Sequence, residues 1–212
     1  MYQPPHFRED RLAVQHDLVR AHPLGLLVTM GTDGLVADHL PFHLDPDGAP
    51  LGILRAHMAR ANPQAAALGA AEECLVVFQG PAAYVSPSWY PSKRETEKVV
   101  PTWNYAVVHA WGRPRVIDDP LWLRRQLDLV TGAQESRRAA PWSVDDAPAD
   151  FIAAQMRGIL GLEIVISRIE GKWKVSQNRP EADRAGVRDG LLAERGADDP
   201  MARLVAERGG LS

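Results

Sequence analysis

The chain has 212 residues, a formal net charge of -3 and a single cysteine. That length suits one domain with a terminal appendage and a sizeable buried core. The mild negative charge excludes an overall electrostatic footprint for nucleic acid, lone Cys74 excludes an internal disulfide or cysteine zinc cluster, and no apolar run reaches helix-spanning length.

Taken in order, residues 1–7 are Pro-rich and hold no apolar signal core, which makes the cytoplasm the expected compartment. Asp10 can cap a helix running to Ala21, and Pro23 stops it. Leu24–Met30 reads as a buried strand, 31–34 as a tight turn, Leu35–Leu44 as a second strand and Leu51–Ala56 as a third. These make an antiparallel meander behind the helix. The segment 57–64 then leaves the third strand for a short helix over 64–69. Strands are predicted at 73–79 and 82–86, divided by Gly80-Pro81, and Cys74 in the first reads as a small buried hydrophobe.

Residues 86–105 resist regular structure, because Pro87, Pro91 and Pro101 fix φ and remove backbone donors. The longest strand is predicted over Thr102–Ile117, with Trp103, Tyr105, Val107, His109 and Trp111 on one face and mostly small residues on the other. Asp118 or Asp119 caps a helix from Pro120 to Thr131. A short helix over 150–156, a strand over 159–169, a turn at Glu170-Gly171 and a strand over 172–177 follow. Helices over 180–192 and 200–208 end the chain, the last capped by Asp198 or Asp199. The sum is an α+β barrel of antiparallel strands with helices at the ends and in the crossovers.

Three stretches could carry chemistry. In HMARANPQ, residues 57–64, a strand yields to a helix, so free backbone N–H groups and the helix dipole favour an anion. Arg60 adds a fork that matches phosphate, with His57 and Asn62 as further donors; the alternative is a capped helix with a surface arginine. The second stretch is the loop from Ser86 to Tyr105. Its aromatic rings suit a flat conjugated ligand or a partner protein, or else they cap an edge of the core. KVSQNR, residues 174–179, repeats the strand-to-helix setting, with Asn178 a reasonable cap. His39 and His43 could share a strand face, but no third ligand stands at a metal-binding spacing. No nucleophile motif of hydrolases is present.

MYQPPHF, HMARANPQ, FQGPAAYVSPSWYPSK, VPTWNYAVVHAWG and GKWKVSQNRPEADRAGV together resemble the PaiB-type FMN-binding negative transcriptional regulators. The resemblance runs from Met1 to about Leu192. It implies an FMN-binding split-barrel domain over 1–194 with a C-terminal helical extension over 195–212. It also implies an antiparallel split β-barrel, FMN as cofactor, and a homodimer holding flavin at its interface. Carried onto this sequence, His57, Met58, Ala59, Arg60 and Asn62 would hold the phosphate. Trp89 and Trp103 would contact the ring, Lys93 or Lys174 would stand at its electron-rich edge, and Asn104 and Gln177 complete the expected cofactor-binding set. The expected activity is flavin-dependent redox chemistry or sensing. The rival expectations are a flavin reductase or pyridoxamine-phosphate-oxidase-like enzyme, a haem-binding split barrel, and a cofactor-free regulator. Contact with nucleic acid enters only through the family's regulator label.

Overall fold

The computed structural model of the chain describes residues 1–211. Eight strands form one sheet: β1 (Arg8–Glu9), β2 (Leu24–Gly31), β3 (Gly34–Pro41), β4 (His43–Asp45), β5 (Ile53–Ala59), β6 (Cys74–Val85), β7 (Thr102–Ile117) and β8 (Ile159–Lys174). Seven helices accompany it: α1 (Leu12–Ala21), α2 (Gln64–Ala70), α3 (Lys93–Thr96), α4 (Pro120–Glu135), α5 (Ala149–Arg157), α6 (Glu181–Arg195) and α7 (Pro200–Gly209). The strand order is β3-β2-β6-β7-β8-β5-β4, with β1 paired to β8. The pairings β1–β8, β2–β3, β2–β6, β4–β5 and β5–β8 are antiparallel. No helix among the described residues is long and apolar enough to cross a membrane.

The chain divides into two compact units. Unit 1 comprises Met1–Arg11, Gln79–Val108 and the segment from Glu170 onward; unit 2 comprises Leu12–Phe78 and His109–Ile169. In unit 1, α6 and α7 bury Val187, Leu191, Met201, Ala202 and Val205 with Ala83, Val85, Tyr90 and Val175. The 195–212 stretch therefore supplies part of this core. Asp199 caps α7 by accepting from the Ala202 amide at 2.8 Å.

In unit 2, Leu27, Leu54, Ala56 and Val76 are wholly buried, and Phe42 meets Phe78 edge-on at 5.7 Å. Gln64, also wholly buried, donates to the Leu27 and Val36 carbonyls and to Thr29 Oγ1, tying α2 onto β2 and β3. Asp119 is the residue that caps α4, accepting from the Leu121 amide at 2.9 Å. That choice leaves Asp118 free for another partner. Cys74 is buried, and burial with Glu73 nearby pushes its thiol up to about 12.

The fold departs from the sequence expectation in five places. The predicted 35–44 strand breaks at Phe42, whose amide donates to the Pro23 carbonyl, so the meander ends there. Gly80-Pro81 does not interrupt β6, and Gly171 does not turn β8: neither glycine takes a positive φ, and Gly171 stays extended opposite Glu9. The third strand runs on through His57, Met58 and Ala59, which lie in register with Gly161, Leu160 and Ile159. The 86–105 loop contains a 3-10 turn at 87–89 and the single turn of α3.

Candidate functional site

Each unit places one group of the expected site residues. In unit 1, β7 opens with Thr102, Trp103 and Asn104, and β8 closes on Lys174. Strand alternation sends Asn104 inward and Trp103 outward. Trp103 is 58% exposed and meets Tyr84 edge-on at 6.1 Å. Lys174 donates from Nζ to Thr102 Oγ1 and to the Trp103 carbonyl. Burial lowers its pKa, and so do the positive charges of Lys172 and Arg179. Lys172 is buried, donates to the Tyr2 carbonyl at 3.0 Å, and has the Tyr2 and Tyr105 rings 5.5 and 5.3 Å from its Nζ. The result is an exposed aromatic edge beside a cation whose charged neighbours are also cations.

The other unit 1 residues support this edge from within. Asn104 Nδ2 donates to Ser176 Oγ at 2.9 Å, and Ser176 holds a left-handed φ of 65°. Gln177 accepts from the Val175 amide and donates to the Trp173 carbonyl. Both side chains fix the turn after Lys174. Trp89 lies elsewhere: its ring fills the slot left by Gly190 on α6, where a Cβ would come within 2.4 Å of Trp89 Cδ2. Ser92 anchors the same loop, its hydroxyl donating to buried Asp183 at 2.7 Å. Lys93 is exposed at the start of α3.

In unit 2 the 57–62 segment is more heavily engaged than its sequence implies. Met58 is buried in the core, and the amide of Arg60 donates to the Gly158 carbonyl. Arg60 forms a fork with both oxygens of Asp118, at 2.7 and 2.6 Å, and donates from Nε to the Arg157 carbonyl. Arg60 in turn holds the Asp118 carboxyl below its usual range. Asn62 accepts from the Gln64 amide and donates to Asp38, so its side chain is taken up in holding the start of α2. His57 is different: its Nδ1 is buried with no hydrogen-bond partner among the described residues, and burial lowers the pKa of the ring.

Sequence reasoning missed Tyr84, Lys172 and Asp118. Tyr84 precedes Trp103 by a proline-broken loop, Lys172 opens an expected strand just after the expected turn at Glu170-Gly171, and Asp118 looked like a helix cap. The described residues hold no group of three or more metal-binding side chains, and His39 and His43 fall on separate strands.

A profile of the family described as "Putative FMN-binding domain" matches residues 1–168. The chain belongs to this FMN-binding domain family. Proteins similar to it include the protease synthase and sporulation protein PAI 2 of Bacillus subtilis, 33% identical over 98% of this chain and 95% of that protein. An uncharacterised protein of Emericella nidulans is 36% identical over 99% of this chain and 98% of its own length. In fold, this FMN-binding-family chain is similar to the FAD and haem binding protein of Mycobacterium smegmatis, with a TM-score of 0.56 at 19% identity over 78% of this chain and 71% of that one. The antiparallel sheet with flanking helices is thus a fold the two chains share, and its strand order is that of a sheet not shown closed into a barrel.

Proposed function

We propose that this protein binds FMN as a homodimeric split-barrel protein and acts in flavin-dependent redox chemistry or sensing. One observation carries the reading: Lys174 donates to the backbone carbonyl of exposed Trp103, and the charges that lower its pKa are the cations Lys172 and Arg179. A flat ring with an electron-rich edge matches that pairing of apolar face and uncompensated cation. The residues fit the group. Trp103 and Tyr84 offer ring surface, Lys174 offers charge, and Asn104 and Gln177 hold the backbone that carries them.

For the phosphate, unit 2 offers the 57–62 segment, where His57 Nδ1 is a buried polar atom unpaired among the described residues and Arg60 becomes available if a phosphate displaces Asp118. Bound FMN supplies reversible one- and two-electron transfer. The protein's part is to hold the ring, exclude water from one face and place positive charge at its edge.

Support for the dimer comes from one outward face of unit 2. There Leu26 and Val28 of β2 lie in register with His39 and Ala37 of β3 and with Val77 and Leu75 of β6. Leu24, Met30 and Leu35 extend this apolar face and are 60, 64 and 72% exposed. We assign residues 1–194 to the FMN-binding domain and 195–212 to its helical extension. A regulatory, sensing role rests on the resemblance of the chain's motifs to the PaiB-type regulators.

The deciding experiment is the absorbance spectrum of freshly purified protein, followed by titration with FMN. Flavin bands and stoichiometric uptake are expected. A Soret band without flavin would overturn the reading in favour of haem, and NAD(P)H turnover would specify an oxidoreductase.

A further inference from the structure

Helix α5 is amphipathic, yet none of its residues is buried. A helix of this length depends on packing its apolar stripe. Here the stripe faces a groove of about 640 Å³ instead. Ile152, Ala153 and Met156 of α5 form one wall, with Leu121 and Leu123 of α4 and Val144 forming the other. That volume falls in the range of small-molecule sites.

The charges at the rim define the chemistry. Three arginines line the groove, Arg60, Arg124 and Arg157, with two aspartates, Asp118 and Asp145. Arg60 is paired with Asp118, and Arg124 with Asp145 at 2.6 Å and with Asp128. Arg157 is exposed and has no carboxylate partner among the described residues. Its backbone is nonetheless fixed, because Arg60 holds its carbonyl at 3.0 Å. An amine would find both acids already engaged, and a neutral ligand would leave the fork of Arg157 unused. A carboxylate matches that fork in charge and geometry.

We propose that the groove between α4 and α5 binds an apolar monocarboxylate, its acyl or aryl body against Ile152, Met156 and Leu123 and its carboxylate on Arg157. The groove needs no flavin contact, but it shares its Arg60–Asp118 rim with the proposed phosphate segment. The test is calorimetric titration of the full chain with octanoate, octanol and octylamine, each below its aggregation concentration, with and without FMN present.

Octanoate is expected to bind saturably at one per chain, about tenfold more tightly than octanol. Arg157→Gln should erase that preference while leaving the thermal midpoint in place, since the side chain is exposed. Ile152→Trp, filling the groove, should abolish octanoate binding; Ala153→Phe on the same wall replaces it if the first variant does not fold. The proposal is overturned by octanoate binding no tighter than octanol, by more than one octanoate per chain, by binding that survives a filled groove, or by no saturable binding at all.

Discussion

Replacing Lys174 with Met tests the flavin reading at its centre. The side chain is half-buried, and its Nζ is held by two neutral acceptors, Thr102 Oγ1 and the Trp103 carbonyl. No carboxylate among the described residues pairs with it, and the charges that bear on it are Lys172 and Arg179. An anionic ring edge therefore gains a charge-assisted contact without first displacing a counter-ion. Such a contact contributes ~1.5–3 kcal/mol. Partial exposure argues for the lower end, so Lys174→Met should weaken FMN about tenfold. If Lys174 favours the reduced anion over oxidised flavin by the same factor, the two-electron potential should fall by about 30 mV. The pH dependence has a definite sign. Lysine binds the anion only while protonated, and its pKa is lowered, so FMN affinity should decline on the alkaline side before an ordinary lysine would titrate. Fluorescence titration of FMN and riboflavin across pH, with a melting curve for each variant, makes the comparison. A folded Lys174→Met protein with unchanged affinity, potential and pH profile would refute the assignment.

Arg60→Ala should weaken FMN about 10- to 100-fold and leave riboflavin untouched, whereas Asp118→Asn, by releasing Arg60, should tighten FMN; equal weakening of riboflavin by Arg60→Ala would end the phosphate proposal. Burial would raise Glu9, but hydrogen bonds from Arg11 and Arg208 outweigh it and hold its carboxyl at about 2. Its folded pKa is depressed, so its contribution is present above the unfolded carboxylate value and lost as pH falls from there towards about 2. Allowing for solvent screening, ~1–2 kcal/mol is at stake, and Glu9→Gln should flatten acid denaturation curves in that window; an unchanged curve counts against it. Gly190→Ala forces a Cβ to within 2.4 Å of the Trp89 ring and should cost ~1–3 kcal/mol in thermal denaturation. Trp89→Leu should lower the melting point and spare FMN affinity, and the reverse pattern would return Trp89 to the flavin. Val28→Glu, on the outward apolar face, should yield monomer in sedimentation, and a folded monomer of the unaltered chain would rule out the dimer.

Much of the architecture follows from local rules that the chain carries in every segment. Alternating apolar residues at 24–30, 102–117 and 159–169 make strands whatever surrounds them, and Pro120 and Pro200 after aspartates start helices because their missing N–H groups are not needed there. The family, too, was legible, because its Trp-, Pro- and Asn-rich motifs lie in continuous stretches. What the sequence could not determine is how far each strand runs and which polar group finds which partner. Gly80-Pro81 and Gly171 read as breaks from local preference, yet pairing along β6 and with β1 holds them extended. Arg60 looked like a free phosphate fork, but Asp118, distant in sequence, occupies it. Trp89 and Trp103 looked equivalent in one loop. Only tertiary packing separates them, because two glycines one turn apart on α6 make a slot for the first and nothing comparable covers the second. Periodicity reports which face of an element is apolar; whether that face meets core, ligand or solvent depends on elements far along the chain.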